Sequence, residues 1–296
     1  MQQVLSVIAP EATPLRKAEL AAVRDALAGL GAETLPPDWL AADVAADIPF
    51  SGLDADQAEA AARAALAAPR DVIAQAAQGR RKKLLLADMD STIVTSETLD
   101  EMAAFAGLKE KIAAITARAM NGELDFAAAL RERVAMLKGL PLDALERTWA
   151  ATVLTPGARA LVATMQAHGA FCALVSGGFT FFTSRVRALV GFDLDQANFL
   201  EIDGGVLAGR VAEPILDRDA KLAALRRLAA ERGLSLAETC TVGDGANDLP
   251  MLKAAGLGVA FHAKPSVAAA ARVRIDHGDL SALLFAQGFR ADEFRG

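Results

Sequence analysis

The sequence predicts an α/β fold: a Rossmann-like three-layer core with a mainly parallel sheet, an inserted helical cap, and a small N-terminal α+β domain of ferredoxin-like type. Three observations carry this prediction. The apolar run Leu84-Leu85-Leu86-Ala87 leads straight into Asp88-Met89-Asp90. Such a run reads as a strand buried on both faces, ending at the carboxyl edge where open α/β sheets bind ligands. A second apolar run, residues 239–242, leads into Gly243-Asp244-Gly245-Ala246-Asn247-Asp248. From residue 157 to 275, short apolar runs alternate with segments of helical periodicity, the pattern of βα units on a parallel sheet.

In chain order, residues 1–80 read as β-α-β-β-α-β, the ferredoxin-like order. Residues 4–8 are a short strand, and 15–30 have helical periodicity that stops at Gly31. Residues 32–35 and 42–48 read as strands joined across Pro36-Pro37. Residues 54–68 form a helix with Asp54 as its N-cap and Pro69 past its end, and 71–75 form a last strand. The basic cluster Arg80-Arg81-Lys82-Lys83 reads as a solvated linker into a second unit, residues 81–296.

That unit opens with the strand ending at Asp88, because aspartate is a poor strand residue. Residues 97–153 are then almost all helical, an insert that splits the α/β domain after its first strand. Inserts of this kind act as lids. The alternation resumes with a helix at 157–168, a strand at 170–176 and a helix at 179–190. Asp203-Gly204-Gly205 marks a β-hairpin within 199–211. A helix at 219–232 precedes strands at 239–243, 257–261 and 273–275, with helices at 247–255 and 266–271 between them.

Composition bounds the function. The chain has 296 residues, 53% hydrophobic and 23% charged, with a net charge of −6. An acidic balance with no long basic face argues against a general nucleic-acid surface. Cys172 and Cys240 lie in apolar runs without CxxC spacing, so they read as buried free thiols rather than a zinc site or disulfide. The N-terminal segment has no basic n-region, and Pro10 and Glu11 break its apolar run early. No stretch of about 20 uninterrupted apolar residues offers a membrane span. The expectation is a cytoplasmic, reduced protein.

The chemistry is concentrated at three strand ends. Asp88 and Asp90, with Asp244 and Asp248 from the second cluster, would face one crevice together with Asn247. Oxygen ligands without histidine or thiolate favour Mg²⁺ over zinc. The Asp244 loop lacks the twelve-residue spacing and terminal glutamate of a Ca²⁺ loop. Ser176-Gly177-Gly178, at a third strand end, offers a hydroxyl and free N–H groups as a phosphate cradle. Lys221, in the first turn of a later helix, adds a point charge. No GxxxxGK[ST] run is present, which excludes a P-loop.

These segments, in this order, resemble the haloacid dehalogenase superfamily of phosphotransferases. Its DxDx[TV], Ser/Thr, Lys and GDxxxD motifs match Asp88-Met89-Asp90-Ser91-Thr92, Ser176, Lys221 and Gly243-Asp244-Gly245-Ala246-Asn247-Asp248. The resemblance covers about residues 83–280 and extends through the insert. It implies that Asp88 is a nucleophile that becomes an aspartyl phosphate. Asp90 would be the general acid and base. Mg²⁺ would be held by Asp88, the Asp90 backbone carbonyl and Asp244, with Asp248 supporting it through water. Ser176, Gly177 and Lys221 would stabilise the transferring phosphoryl group, and Asn247 would orient it. In the insert, Glu97 would pair with a substrate ammonium and Arg133 would grip a carboxylate, with Met120 and Phe126 lining and closing the pocket. The implied substrate is O-phospho-L-serine, hydrolysed in the last step of L-serine biosynthesis, with a homodimer left open. Two alternatives stand beside it. One is a phosphatase for another small phosphomonoester, such as phosphohomoserine or phosphoglycolate. The other is an amino-acid-sensing regulator, in which residues 1–80 act as an ACT-like ligand-binding module.

Overall fold

The structure is a computed structural model that describes residues 2–296. The N-terminal region contains β1 (Gln3–Ile8), α1 (Lys17–Gly29), β2 (Glu33–Thr34), β3 (Asp38–Ala41), β4 (Ala45–Ser51), α2 (Ala55–Ala65) and β5 (Asp71–Ala76). All strand pairings are antiparallel, with β1 between β4 and β5. As expected, Asp54 caps α2 by accepting the Gln57 N–H at 2.8 Å.

One expectation changes here. β2 and β3 both pair with β4, at its two ends. Pro36-Pro37 therefore interrupts a single edge strand instead of linking two strands, a position where the missing N–H is tolerated. The reversal falls at 42–44, where Asp43 takes φ 58°. Counting β2 and β3 as one interrupted strand leaves the ferredoxin-like order intact.

The rest of the chain begins with β6 (Leu84–Ala87) and passes into four helices: α3 (Thr98–Ala104), α4 (Lys109–Met120), α5 (Phe126–Ala135) and α6 (Asp143–Ala151). It continues through α7 (Ala158–Ala167), β7 (Phe171–Phe179), α8 (Thr180–Val190), β8 (Leu194–Asn198), β9 (Leu200–Asp203) and β10 (Val206–Val211). The last elements are α9 (Arg218–Glu231), β11 (Thr239–Gly243), α10 (Leu249–Ala254), β12 (Leu257–Phe261), α11 (Pro265–Ala270), β13 (Val273–Ile275) and α12 (Ala282–Ala286). Among the described residues, no helix is long and apolar enough to cross a membrane.

Six strands form a parallel sheet in the order β13-β12-β11-β6-β7-β8. The first strand of the unit, β6, is central, and the order reverses between β6 and β11. That reversal is the switch point at which doubly wound sheets open a binding crevice. The apolar run of β6 is explained by burial on both faces. Leu84 and Leu86 join the apolar cluster that packs α9 and α10. Leu85 and Ala87 join the other cluster, with α7 and α8.

β8 was not legible as a strand. Asp195, Gln196 and Asn198 give it a polar pattern, which an edge strand can carry. β9 and β10 form the expected hairpin, with Gly204 and Gly205 at φ 57° and 84°.

In the cluster at residues 80–83, Arg81 and Lys83 are exposed as expected, but Arg80 is not solvated. Arg80 ion-pairs with Asp47 of β4. It also donates to Ser6 Oγ at 3.0 Å and to the Phe285 and Ala286 carbonyls at 3.1 and 3.2 Å. Arg81 and Lys83 pair with Glu293 and Glu238. The face of the N-terminal sheet carrying Ile8, Ala45 and Ile73 packs into the main core, while α1 and α2 cover the opposite face. Asp71, 1% exposed, accepts the Asp276 and Gly278 N–H groups at 2.7 Å. Arg80 thus ties the N-terminal sheet to α12, and the buried Asp47 carboxylate keeps it there because such a group needs a partner.

Arg80→Met is expected to lower the unfolding free energy by about 3 kcal/mol, since it leaves Asp47 buried without its cation. Urea denaturation measures this. A loss within experimental error would show that the clamp contributes nothing.

Candidate active site

Strand register builds the site. Ala87 lies opposite Val242 in β11 and Leu174 in β7. Asp88 therefore emerges beside Gly243, with its own N–H bonded to the Val242 carbonyl at 3.0 Å. Asp244 follows one residue later, and Ser176 lies two residues past Leu174. Asp88, Asp244 and Asp248 bring carboxylate oxygens within 4.8 Å of one another.

Lys221 reaches the same point from α9. The Asp217 side chain caps α9 by accepting from the Asp219 and Ala220 N–H groups, which sets Lys221 in the first turn. Its Nζ lies 2.8 Å from Asp88 Oδ1 and 2.6 Å from Asp248 Oδ1, fully buried. Burial pulls the ammonium pKa down, but Asp248 and Asp88 more than reverse that and leave it raised. Lys264 adds a half-buried ammonium 3.3 Å from Asp244 Oδ2.

The carboxylates pay for this crowding in proton affinity. Burial first, then Glu97 and Asp88, pushes Asp90 well above the usual carboxylate range. Burial, Glu97, Asp248 and Asp88 do the same to Asp244. Asp248 is pushed up to about 7, by burial and then by Asp88. The Asp90 carboxyl accepts from the Thr98 N–H and hydroxyl, both at 3.2 Å.

The phosphate-cradle segment differs from expectation in its local structure. β7 runs on to Phe179 with a register irregularity after Val175, so Ser176-Gly177-Gly178 lies within a distorted strand. Ser176 Oγ accepts the Gly178 N–H at 2.9 Å, and the buried Asn198 side chain donates to the Gly177 carbonyl at 2.8 Å.

The cap closes over these groups. Asp88, Asp90, Ser176, Gly177, Asp244 and Asn247 share one cavity with Glu97, Met120, Phe126 and Arg133. Every residue singled out from the sequence lines this cavity except Lys221 and Asp248, which lie directly behind it. Glu97 stands at the start of α3 without capping it, and its carboxylate accepts the Ser91 hydroxyl at 2.6 Å. Arg133, on α5, is 3% exposed and donates to the Ala129 carbonyl and Thr116 hydroxyl.

The Phe126 ring rests on Gly177, where a Cβ would come within 2.4 Å of it. The Met120 carbonyl accepts the Ala246 N–H at 2.9 Å, joining cap to core. The free space between cap and core is about 30 Å³, far below the roughly 300–1,000 Å³ of an ordinary ligand pocket. This is a shut conformation.

Contacting residues missed from the sequence include Thr98 on Asp90, Ser91 on Glu97 and Lys264 on Asp244. Lys264 had a signal, because it follows β12 at the carboxyl edge of the sheet. The two hydroxyls had none, since serine and threonine are common at helix starts.

The donors at the crevice are hard oxygens crowded past what two lysines neutralise. Asn247 Oδ1 is buried without a hydrogen-bond partner. That set fits a hard divalent cation.

An oxygen-lined acidic crevice at the switch point of a parallel sheet, roofed by a helical insert, defines an α/β core with a capped site. The chain belongs to the haloacid dehalogenase-like hydrolase family, whose model matches residues 85–253. A phosphoserine phosphatase of Streptomyces coelicolor is 44% identical over 230 residues, covering 78% of this chain and 56% of that protein. The chain thus spans little more than half the length of that relative. A phosphoserine phosphatase of Streptococcus thermophilus is 47% identical over 199 residues, covering 67% of this chain and 93% of that one. The crystal structure of a HAD-family hydrolase from Salmonella enterica serovar Typhi superposes with a TM-score of 0.83 at 29% identity, over 96% of this chain and 98% of that one.

A carboxyl whose folded pKa lies above its unfolded value retains a proton in the folded chain. For Asp248 this holds from the usual 3.8 up to about 7, and its contribution to stability falls as pH rises through that window. A bound cation needs the carboxylates deprotonated. Added divalent cation is therefore expected to raise the thermal midpoint more at about pH 8 than at about pH 5. A gain of equal size at both values would show that these carboxyls do not hold extra protons.

Proposed function

We propose that this chain hydrolyses O-phospho-L-serine to L-serine and phosphate, as the last step of L-serine biosynthesis. One observation carries the reading. One cavity is lined both by Asp88, Asp90 and Ser176, groups suited to a phosphate, and by Glu97 and Arg133, groups suited to an ammonium and a carboxylate. The two relatives named phosphoserine phosphatase, at 44% and 47% identity, support it.

In the first step an Asp88 oxygen attacks phosphorus, and the P–O bond to the serine oxygen breaks. Asp90, kept protonated by burial and neighbouring carboxylates, gives its proton to the departing serine oxygen. The Thr98 N–H and hydroxyl hold the Asp90 carboxyl in place for this. In the second step Asp90 takes a proton from water as the water oxygen attacks the phosphorus on Asp88, and phosphate leaves. Lys221, already on Asp88, and the Ser176-Gly177 segment stabilise charge on the equatorial oxygens. Asn247 orients the phosphoryl group.

Asp88, Asp244 and the Asp90 backbone carbonyl would hold Mg²⁺, with Asp248 supporting them through water. When bound, Mg²⁺ offsets the repulsion between an anionic nucleophile and a phosphate dianion. Glu97 pairs with the substrate ammonium and Arg133 with its carboxylate, while Met120 and Phe126 exclude water. Because the shut cavity is too small for the substrate, the cap must open for entry and release. Residues 1–80 form a separate α+β unit, residues 81–296 form the phosphatase unit, and the cap lies within about 97–153.

Phosphate release from O-phospho-L-serine is expected to require Mg²⁺. Asp88→Asn is expected to abolish it while leaving the far-UV spectrum near wild type. Wild-type turnover in that variant would refute the nucleophile assignment. Asp90→Asn should lower kcat by roughly 10²–10⁴-fold. A wild-type kcat there would move the acid role elsewhere.

A further inference from the structure

Arg133 has an unusual setting for a buried cation. It is 3% exposed, yet its guanidinium hydrogen bonds go to a carbonyl and a hydroxyl rather than to a carboxylate. The hydroxyl is that of Thr116, itself 3% exposed. Thr116 has one proton to give. Its Oγ1 lies 2.6 Å from Asp100 Oδ1 and 3.1 Å from the Ile112 carbonyl, and the shorter contact marks Asp100 as the main acceptor. Asp100 is 7% exposed. The order is therefore Arg133 Nη1–H to Thr116 Oγ1 at 2.8 Å, then Thr116 O–H to Asp100. It joins α5, α4 and α3 in turn.

A buried guanidinium needs a counter-charge nearby. A direct pair with Asp100 would meet that need, but arginine and carboxylate favour a two-point contact that would occupy the fork. An interposed hydroxyl takes up one N–H and transmits the negative charge at one remove. We infer that Thr116 and Asp100 are positioning residues that aim Arg133 into the cavity and keep the rest of its fork available for a substrate carboxylate. This inference rests on the reading of Arg133 as the carboxylate anchor.

The test compares two substrates. O-Phosphoethanolamine is O-phospho-L-serine without its carboxylate. The readout is kcat/KM for O-phospho-L-serine divided by kcat/KM for O-phosphoethanolamine, with full-length Mg²⁺-loaded protein. Thr116→Val is expected to lower this ratio by about tenfold, the scale of one hydrogen bond to a charged group, mainly through KM. Thr116→Ser, which keeps the hydroxyl, is expected to restore it. Equal losses on both substrates, or an unchanged ratio, overturn the relay. If Thr116→Val does not fold, Asp100→Asn replaces it, with the same fall expected and an unchanged ratio again overturning the inference. Arg133→Gln separates the two levels of the argument. A ratio untouched by Arg133→Gln sinks the anchor reading and the relay with it. A ratio that falls in Arg133→Gln but not in Thr116→Val sinks the relay alone.

Discussion

Lys221 between Asp88 and Asp248 is the contact on which the site depends. A fully buried ammonium is tolerable only when paired, and its two partners come from loops that close different strands. The cation therefore holds α9, the end of β6 and the start of α10 at one point. Without it, three carboxylates within 4.8 Å of one another would repel along the switch point of the sheet. Burial, and after it neighbouring carboxylates, pushes Asp90, Asp244 and Asp248 upward. One arrangement thus creates both a place for a hard cation and an aspartic acid able to carry a proton.

The cap adds a second, separable layer. Phe126 on Gly177 and the Met120 carbonyl on the Ala246 N–H bring the insert down on the core. Ser91 belongs to the loop after β6, but its hydroxyl is spent on Glu97. Thr98 belongs to the first cap helix, but it serves Asp90. Core and cap each position a group of the other. The Arg80 clamp and Asp71 do the corresponding work between the N-terminal sheet and the main core.

Most of the crevice was legible because its residues announce their chemistry. Aspartates directly after apolar runs, and glycines flanking them, have few structural uses at strand ends. The resemblance extended that reading to Glu97, Met120, Phe126 and Arg133, whose types alone say little. Legibility ended where a residue's role lies in a neighbour. Thr98, Ser91 and Thr116 are ordinary helix or loop residues until the chain brings their partners within hydrogen-bond distance. β8 escaped notice for a related reason. An edge strand buries too little to show an apolar pattern, and Asn198 is polar because it holds the Gly177 carbonyl.

By itself the sequence determined the doubly wound α/β class, the helical insert and the two acidic strand ends. These follow from local periodicity and from the poor fit of aspartate within strands. The tertiary structure alone decided that Arg80, of the basic cluster at residues 80–83, ties the N-terminal sheet to α12. It also decided that Pro36-Pro37 breaks one strand. Each depends on a partner distant in sequence or on a choice of edge. Local propensity carries no record of which buried charge will find which counter-charge once the chain has closed.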